Sequence, residues 1–391
     1  MGQKKKSVWI EIVAASSKLG LTSFGGPTAH LGYFKNEYVD KRKWLDDKAY
    51  ADIIALCQFL PGPASSQVGI AIGMLRGGMM GGLLSWLGFT LPSVLILALF
   101  AFLYQSMDLT DAGWIHGLKL VAVAVVLHAV IGMGKTLTPD KPRVTIAIAT
   151  MIVTVLFPSA VGQILMIVVA GLLGFLLYRK QAVLPTAELP ISIRKRTGAI
   201  ALALFFLLLF GLPVLRSIFQ HGYIALFDTF YRAGSLVFGG GHVVLPLLER
   251  EVVPNGWISA EQFLAGYGVA QAVPGPLFTF ASYIGGMIAG VGGVVVATVA
   301  IFLPSFLLII GSLPFFNEIR KQPKLQAAFT GINAVVVGLL LAALYDPVWT
   351  SSVQTATHFS FAAVLYGLLA VWKYPPWVVV IIGAVGGYLL F

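Results

Sequence analysis

The sequence predicts an all-α integral membrane protein with two inverted-topology repeats of helical hairpins and spans, in which some helices are broken or re-entrant. Three observations predict this class. The 391 residues are 58% hydrophobic and only 11% charged, against roughly a quarter charged in a soluble domain. The chain repeats itself at a shift of 214 residues, so that Phe24-Gly25-Gly26, for example, recurs as Phe238-Gly239-Gly240. Loops that are basic in one copy are acidic in the other.

Long apolar runs indicate helices that span the bilayer. Residues 117–134, 197–215 and 292–313 form such runs, and a hydrocarbon core of about 30 Å takes about 20 helical residues to cross. A β-barrel would show alternation with period two, which these runs lack. Glu11 and Lys18 interrupt the first apolar segment, and no small-residue cleavage site follows it. We therefore expect the amino terminus to be retained rather than removed as a signal peptide.

The net charge of +10 indicates membrane orientation rather than nucleic-acid binding, because the basic residues lie in short loops between apolar segments. Cys57 is the single cysteine, which excludes an internal disulfide, and the six histidines lack metal-ligand spacing. We expect no metal, no cofactor and no nucleic-acid partner. The chain has no Gly-x-x-x-x-Gly-Lys-Ser/Thr loop, which leaves a secondary mechanism or a channel.

Matched motifs occur in the same order in both copies. Ser23-Phe24-Gly25-Gly26 recurs as Val237-Phe238-Gly239-Gly240, Trp44 as Trp257, Gln58 with Pro61-Gly62-Pro63 as Gln271 with Pro274-Gly275-Pro276, and Leu91-Pro92-Ser93 as Leu303-Pro304-Ser305. Such a duplication is one known origin of secondary transporters. The plain alternative is that duplication only enlarges a scaffold.

Loop charges predict that the two copies face opposite ways. Residues 35–48 are rich in Lys and Arg, whereas the matching stretch has Arg250 as its one base. The acidic loop at 105–116 matches a basic one near residue 320. Under the positive-inside rule these loops lie on opposite sides. The predicted organisation is a first repeat at 1–178, a basic cytoplasmic linker at 179–197, a connecting span at 198–216 and a second, inverted repeat at 217–391.

Two segments in each copy are expected to turn back inside the membrane. Residues 7–34 and 48–76 are flanked by bases on both sides, and each has a Gly or Pro break near its middle. We call the breaks the glycine tips, Gly25-Gly26-Pro27 and Gly239-Gly240-Gly241, and the proline tips, Pro61-Gly62-Pro63 and Pro274-Gly275-Pro276. The alternative is that each Pro-Gly-Pro only kinks a complete span.

Each tip is expected to begin a new helix, whose unpaired N–H groups carry the positive end of the helix dipole. Side-chain donors follow the tips: Thr28, Ser65, Ser66, His242 and Thr279. Non-helical backbone at membrane depth must be buried in protein or line a cavity. We therefore expect the four tips to meet near the bilayer centre, where their donors would suit an oxyanion.

Two bases lie inside apolar segments at matching positions. Lys18 precedes Phe24 by six residues, and Arg232 precedes Phe238 by six. An intramembrane charge suggests function, with Glu11 and Asp228 as candidate partners. Snorkelling to the interface is the alternative.

Other polar and small residues are less specific. Gln58 and Gln271 form a matched pair that contacts either the ligand or a neighbouring helix. His128 has Ala342 as its repeat mate and is predicted to be a core residue. A glycine stripe, Gly69, Gly73, Gly77 and Gly81, is typical of close helix packing.

These motifs resemble the chromate ion transporter family in its two-domain form, and the resemblance covers nearly the whole chain. It implies two fused halves of opposite orientation in a bacterial plasma membrane. The loop charges themselves predict a cytoplasmic amino terminus and an outside carboxy terminus. The resemblance also implies export of chromate and chromate resistance. The second copy departs from the pattern at Ala272-Val273 and Gly241, where the first has Phe59-Leu60 and Pro27. The two halves therefore need not have equal roles.

The residues themselves specify only an oxyanion, since sulfate is also a tetrahedral dianion of similar size. An enzyme acting on a lipid phosphate is a remote alternative, because Asp52, the carboxylate nearest a proline tip, has Ala265 as its mate. The expected partners are an oxyanion and the lipid bilayer, and a homodimer stays open. The predicted substrate-binding residues are Lys18, Phe24, Gly25, Gly26, Pro27, Thr28, Gln58, Pro61, Gly62, Pro63, Ser65, Ser66, Arg232, Phe238, Gly239, Gly240, Gly241, His242, Gln271, Pro274, Gly275, Pro276 and Thr279.

Overall fold

The computed structural model describes residues 2–24, 26–106, 113–157, 160–178, 193–219, 221–237, 244–315 and 323–391. Within these ranges the chain is helical and has no strand. Five helices in this part of the chain are long and apolar enough to cross a membrane: Ala64–Ser106, Gly113–Leu137, Lys195–Phe219, Leu277–Phe315 and Gln326–Trp349. The predicted all-α membrane class is therefore confirmed.

The described helices follow one another in two similar series. The first is α1 (Gly2–Thr22), α2 (Gly26–Phe34), α3 (Asp47–Phe59), α4 (Ala64–Ser106), α5 (Gly113–Leu137), α6 (Lys141–Leu156) and α7 (Ala160–Tyr178). The connecting helix is α8 (Lys195–Phe219). The second series is α9 (Gly222–Leu236), α10 (Val244–Val252), α11 (Ala260–Ala272), α12 (Phe280–Ser312), α13 (Pro323–Ala343), α14 (Ala356–Ala370) and α15 (Pro376–Leu390). Short π-helical turns follow α2 and α13, at Lys35–Lys41 and Leu344–Trp349.

The chain reverses inside α4, at Gly77 and Gly78. Gly78 has φ of 69°, which glycine adopts without a steric penalty. The arms on either side, α4a (64–77) and α4b (78–106), pack closely, because a Cβ added at Gly73 would overlap the carbonyl oxygen of Gly81. The glycine stripe therefore packs the two arms of a hairpin, and α12 repeats this reversal at Ala289 and Gly290. Its arms are α12a (280–289) and α12b (290–312).

The equivalent arms α4b and α12b run antiparallel. The Trp86 ring lies 5.6 Å from the Phe302 ring, whereas Val94 and Ala98, further along α4b, cluster with Val294, earlier in α12b. Equivalent helices run antiparallel when two repeats are related by an axis in the membrane plane. The repeat is thus inverted, as the loop charges predict.

Helix α8 covers the predicted connecting span at 198–216 and extends past it at both ends. It packs on α9 and α12, and the Tyr231 hydroxyl of α9 donates a 2.9 Å hydrogen bond to the Phe205 carbonyl. This helix therefore belongs structurally with the second repeat.

Helix α5 is central, in contact with α11, α13, α14 and α15. Its contact with α15 is close, because a Cβ added at Gly117 would overlap the carbonyl oxygen of Gly383. A Cβ at Gly113 would lie 2.7 Å from the carbonyl oxygen of Gly387. The two pairs show that α5 and α15 run antiparallel in a fixed register.

Candidate functional site

The tips of the two repeats meet in crossed pairs. The Gly62 N–H of the first proline tip donates a 2.6 Å hydrogen bond to the carbonyl of Val237, which precedes the second glycine tip. The Gly275 N–H of the second proline tip donates a 2.9 Å bond to the carbonyl of Ser23, which precedes the first glycine tip. Each proline tip is thus joined to the glycine-tip segment of the other repeat.

The repeated Leu-Pro-Ser motif supports these junctions. Gly62 and Gly275 both have positive φ, 114° and 106°. A Cβ added at Gly62 would lie 2.9 Å from Ser305 Oγ, and one at Gly275 would lie 2.9 Å from Ser93 Oγ. The serines that served only as repeat markers in the sequence therefore pack directly on the proline tips.

The described tips border a common cavity of about 1010 Å³. Six predicted site residues line it: Phe24, Gly26, Gln58, Gly62, Gln271 and Gly275. Ala64 and Leu277, the first residues of the helical segments that follow the proline tips, also line it. The positive ends of two helix dipoles therefore face the cavity, and their first N–H groups are free of intrahelical partners.

The remaining predicted tip residues have other positions. Gly25, Phe238, Gly239, Gly240, Gly241 and His242, together with the side chains of Pro27 and Thr28, lie outside the described residues. Pro61, Pro63, Ser65, Ser66, Pro274, Pro276 and Thr279 do not line the cavity. The Thr279 hydroxyl donates to the Pro276 carbonyl at 2.7 Å, and its geometry does not favour the predicted donor role.

Several buried polar atoms near the tips lack a partner among the described residues. These are the hydroxyl oxygens of Ser23, Ser66 and Ser305. The Ser65 hydroxyl lies 3.3 Å from His30 Nδ1. Ser23, Ser66 and Ser305 do not line the cavity, so their hydroxyls are not donors to a ligand there.

The two predicted bases are neutralised by carboxylates. Lys18 Nζ lies 2.7 Å from Glu37 Oε2, and Arg232 lies 2.9 Å from both Glu251 and Asp228. Glu37 and Glu251 are themselves repeat mates, 214 residues apart. Neither base lines the cavity. Lys18 and Arg232 therefore add little net charge to an anion site there.

Of the two carboxylates expected to pair with Lys18 and Arg232, one does so. Asp228 pairs with Arg232 as expected. The expectation that Glu11 pairs with Lys18 is wrong, because Glu11 lies 3.1 Å from Arg76 at the reversal of α4. Burial alone would raise the pKa of Glu37, but hydrogen bonds from Lys18 and Arg42 hold it below its ordinary value.

Three polar residues of the cavity wall are not among the substrate-binding residues that the sequence predicts. His128 of α5 is exposed and lines the cavity, so its prediction as a core residue is wrong. Asn333 of α13 and Lys373, between α14 and α15, also line it. The repeat misled here because Ala342, the mate of His128, is fully buried. A lone base between two apolar segments was the available signal for Lys373.

Inverted repeats that enclose a cavity at their broken helices define a membrane transport protein. The family model described as "Chromate transporter" matches residues 10–175 and 224–388, which correspond to the two repeats. The chain belongs to the chromate transporter family. It is thus a multi-pass membrane transporter and not an enzyme, and its family implies an oxyanion substrate.

Curated relatives match over nearly the full length. The chain is 30% identical to a chromate transport protein of Pseudomonas aeruginosa, over 97% of this chain and 92% of the relative. It is 29% identical to a probable chromate transport protein of Synechococcus elongatus, over 96% and 93%. An uncharacterized transporter of Methanocaldococcus jannaschii is 27% identical, over 97% and 94%. No solved structure gives a significant match.

Proposed function

We propose that this chain is a secondary exporter of chromate, which moves the dianion out of the cytoplasm and confers chromate resistance. The cavity bordered by tips of both repeats is the observation that carries the proposal. Its geometry suits an oxyanion but does not separate chromate from sulfate. The names of the Pseudomonas and Synechococcus relatives support chromate.

The proposed binding site combines partial charges and amides. The N-terminal ends of the helical segments at Ala64 and Leu277 face the cavity, where they favour negative charge. Gln58 and Gln271 also line the cavity, and each amide can donate to an oxyanion oxygen. Lys18 and Arg232 are left out of this site because their charges are paired with Glu37 and Glu251.

The cavity extends along the carboxy-terminal half of α5. Its lining on that helix runs from Val125 to Leu137, whereas residues 120–126 are buried. Leu137 adjoins the basic loop with Lys135, Lys141 and Arg143, which the positive-inside rule assigns to the cytoplasm. This supports an inward-facing state, in which an exporter would load its substrate.

Export of a dianion needs no ATP-driven step. An inside-negative potential favours outward movement of an anion by about 2.3 kcal/mol per charge per 100 mV. Alternating access, or an elevator-like motion of one set of hairpins, would then carry the site across the membrane. The crossed Gly62–Val237 and Gly275–Ser23 hydrogen bonds lie where such a motion would exchange partners.

The proposed orientation places the amino terminus in the cytoplasm and Phe391 outside a bacterial plasma membrane. A reporter that is active only outside the cytoplasm, fused after Phe391, should be active. A cytoplasmic carboxy terminus would overturn the orientation. A homodimer remains part of the expectation, and the mass of the purified protein by light scattering tests it.

The transport proposal is tested in everted membrane vesicles, whose outer face is the cytoplasmic one. Vesicles with the protein should take up labelled chromate faster than matched vesicles without it, and excess unlabelled sulfate is added as the competitor. Equal uptake in both preparations overturns the proposal. Labelled sulfate uptake that exceeds chromate uptake would identify sulfate as the substrate instead.

A further inference from the structure

The cavity wall carries one formal charge among the described residues that line it. Lys373 is its single Lys or Arg, and no Asp or Glu belongs to the lining. Lys373 also forms no ion pair with any residue that the structure describes. In this respect it differs from Lys18 and Arg232, which are both paired with carboxylates.

The register of α5 and α15 places Lys373 at membrane depth. Gly113 meets Gly387 and Gly117 meets Gly383, so the same antiparallel register brings Pro376, the first residue of α15, level with Ala124. Lys373 lies three residues before Pro376 and lines the cavity together with His128. Ala124 is about 16 Å and His128 about 22 Å along α5 from Gly113 at 1.5 Å per residue, both inside a core of about 30 Å. The helices α14 and α15 have only 15 residues each, which is too short for a complete span. Lys373 therefore lies within the membrane-spanning part of the protein.

The backbone at Lys373 is strained. Its φ is 57°, in the left-handed region where glycine is the default residue. It lies two residues after Val371, the C-cap of α14, and the Tyr374 N–H that follows it is bonded to the Leu368 carbonyl at 2.9 Å. A lysine here carries both backbone strain and an intramembrane charge, and residues held in this way cluster at functional sites.

We propose that Lys373 is the substrate-binding cation of the cavity. Its ammonium group would hold the oxyanion against the amides and helix ends of the tips, on the wall that it shares with His128. This inference rests on the proposed function and names the charge that the tips themselves lack. It assigns to Lys373 the role that the sequence predicted for Lys18 and Arg232.

The matched variants are Lys373→Gly, Lys373→Arg and Lys43→Gly. Glycine relieves the strain at Lys373, so this variant should melt at or above the wild-type temperature while lacking the charge. Lys43 is the other described residue that has a positive φ without being glycine. Its φ is 51°, and it lies in a loop that does not line the cavity. Lys43→Gly therefore makes the same backbone change and removes the same charge outside the site.

Chromate transport in proteoliposomes and chromate binding by calorimetry are measured for all four proteins. Lys373→Gly should raise KM and Kd by about tenfold to a hundredfold, the scale of a lost charged hydrogen bond. Lys373→Arg should stay near wild type, and Lys43→Gly should be unchanged. Equal KM and Kd in Lys373→Gly and wild type would overturn the inference, as would an equal loss in Lys43→Gly.

The two proposals fail separately. If wild type binds but does not move chromate, the transport proposal fails, and the binding series still decides the role of Lys373. If wild type moves chromate and Lys373→Gly does so with the same KM and Kd, only the role of Lys373 is lost.

Discussion

Gly62 and Ser305, from opposite repeats, are packed so closely that one methyl group would bring them into collision. A Cβ at Gly62 would lie 2.9 Å from the Ser305 hydroxyl oxygen, and the φ of 114° at Gly62 already favours glycine. This contact joins the first proline tip to α12b, and it makes the tip sensitive to the smallest substitution.

The first prediction is that Gly62→Ala destabilises the protein by about 1–3 kcal/mol and lowers the transport rate. The reason is combined backbone strain and overlap at the tip. Thermal unfolding in detergent and vesicle uptake measure the two effects. Gly211→Ala in α8 is the control, because a Cβ there meets nothing within 4 Å. Equal melting temperatures for the two variants would show that the tip is not tightly packed.

The second prediction concerns Arg232→Gln. Its partner Asp228 has a side chain only 1% exposed, and a buried carboxylate left without its partner is costly. We expect a loss of about 2–3 kcal/mol, below the full cost of a broken buried pair, because Arg216 still lies 3.3 Å from Asp228.

Lys18→Gln is the matched control for that variant, since the Lys18 side chain is 51% exposed. Arg42 still lies 2.7 Å from the buried Glu37 in this variant, so we expect a loss below about 1 kcal/mol. Thermal unfolding gives the stabilities, and uptake kinetics give KM. A large rise in KM without destabilisation in Arg232→Gln would show instead that Arg232 binds the anion.

The third prediction is that Gln271→Glu abolishes most transport while the protein stays folded. The substitution conserves shape but places a negative charge on the cavity wall, where it would repel a dianion in a low-dielectric setting. The control is Gln354→Glu, an exposed residue between α13 and α14. Chromate uptake and melting temperature are measured for both. Normal uptake by Gln271→Glu would show that the substrate does not pass close to Gln271.

The fourth prediction concerns Asp140, which caps α6 by accepting from the Arg143 N–H at 3.0 Å. A hydrogen bond from the Arg143 side chain, first among several causes, lowers the pKa of Asp140 from 3.8 to about 2. Because the folded-state pKa is depressed, this stabilisation is present above about pH 4 and is lost as the pH falls towards 2. Asp140→Ala should cost about 1 kcal/mol at pH 7.

Thermal unfolding at a series of pH values tests this cap. The cost of Asp140→Ala should be constant between pH 5 and 8 and should shrink below pH 4. Asp40→Ala removes a carboxylate paired at 3.7 Å with Lys35 and serves as the control. A cost that grows on acidification would contradict the assignment.

The predictions from sequence were most accurate where the two repeats could be compared with each other. The repeat located both proline tips, and loop charges predicted the inversion that α4b and α12b show. The same symmetry failed for His128, because it lines the cavity while its mate Ala342 is buried. Residues with a role in only one repeat cannot be found by matching the two.

The anion-binding roles predicted for Lys18 and Arg232 stay predictions, which the ion pairs of these residues do not favour. Lys18 and Arg232 do occupy apolar segments, but their carboxylate partners Glu37 and Glu251 lie 19 residues further along the chain. Only the fold shows that these charges meet. Conversely, Lys373 stands outside any paired motif, and its depth follows only from the register of α5 and α15.

The crossed hydrogen bonds at Gly62 and Gly275 have a consequence for how such a chain could be divided. Each half supplies the carbonyl that the tip of the other half requires, so neither half alone contains a finished tip. Cutting the covalent connection before α8 leaves every one of these bonds available, provided that the two fragments insert in opposite directions. Two separately encoded fragments, produced together in one cell, should therefore rebuild a working protein that neither fragment forms by itself.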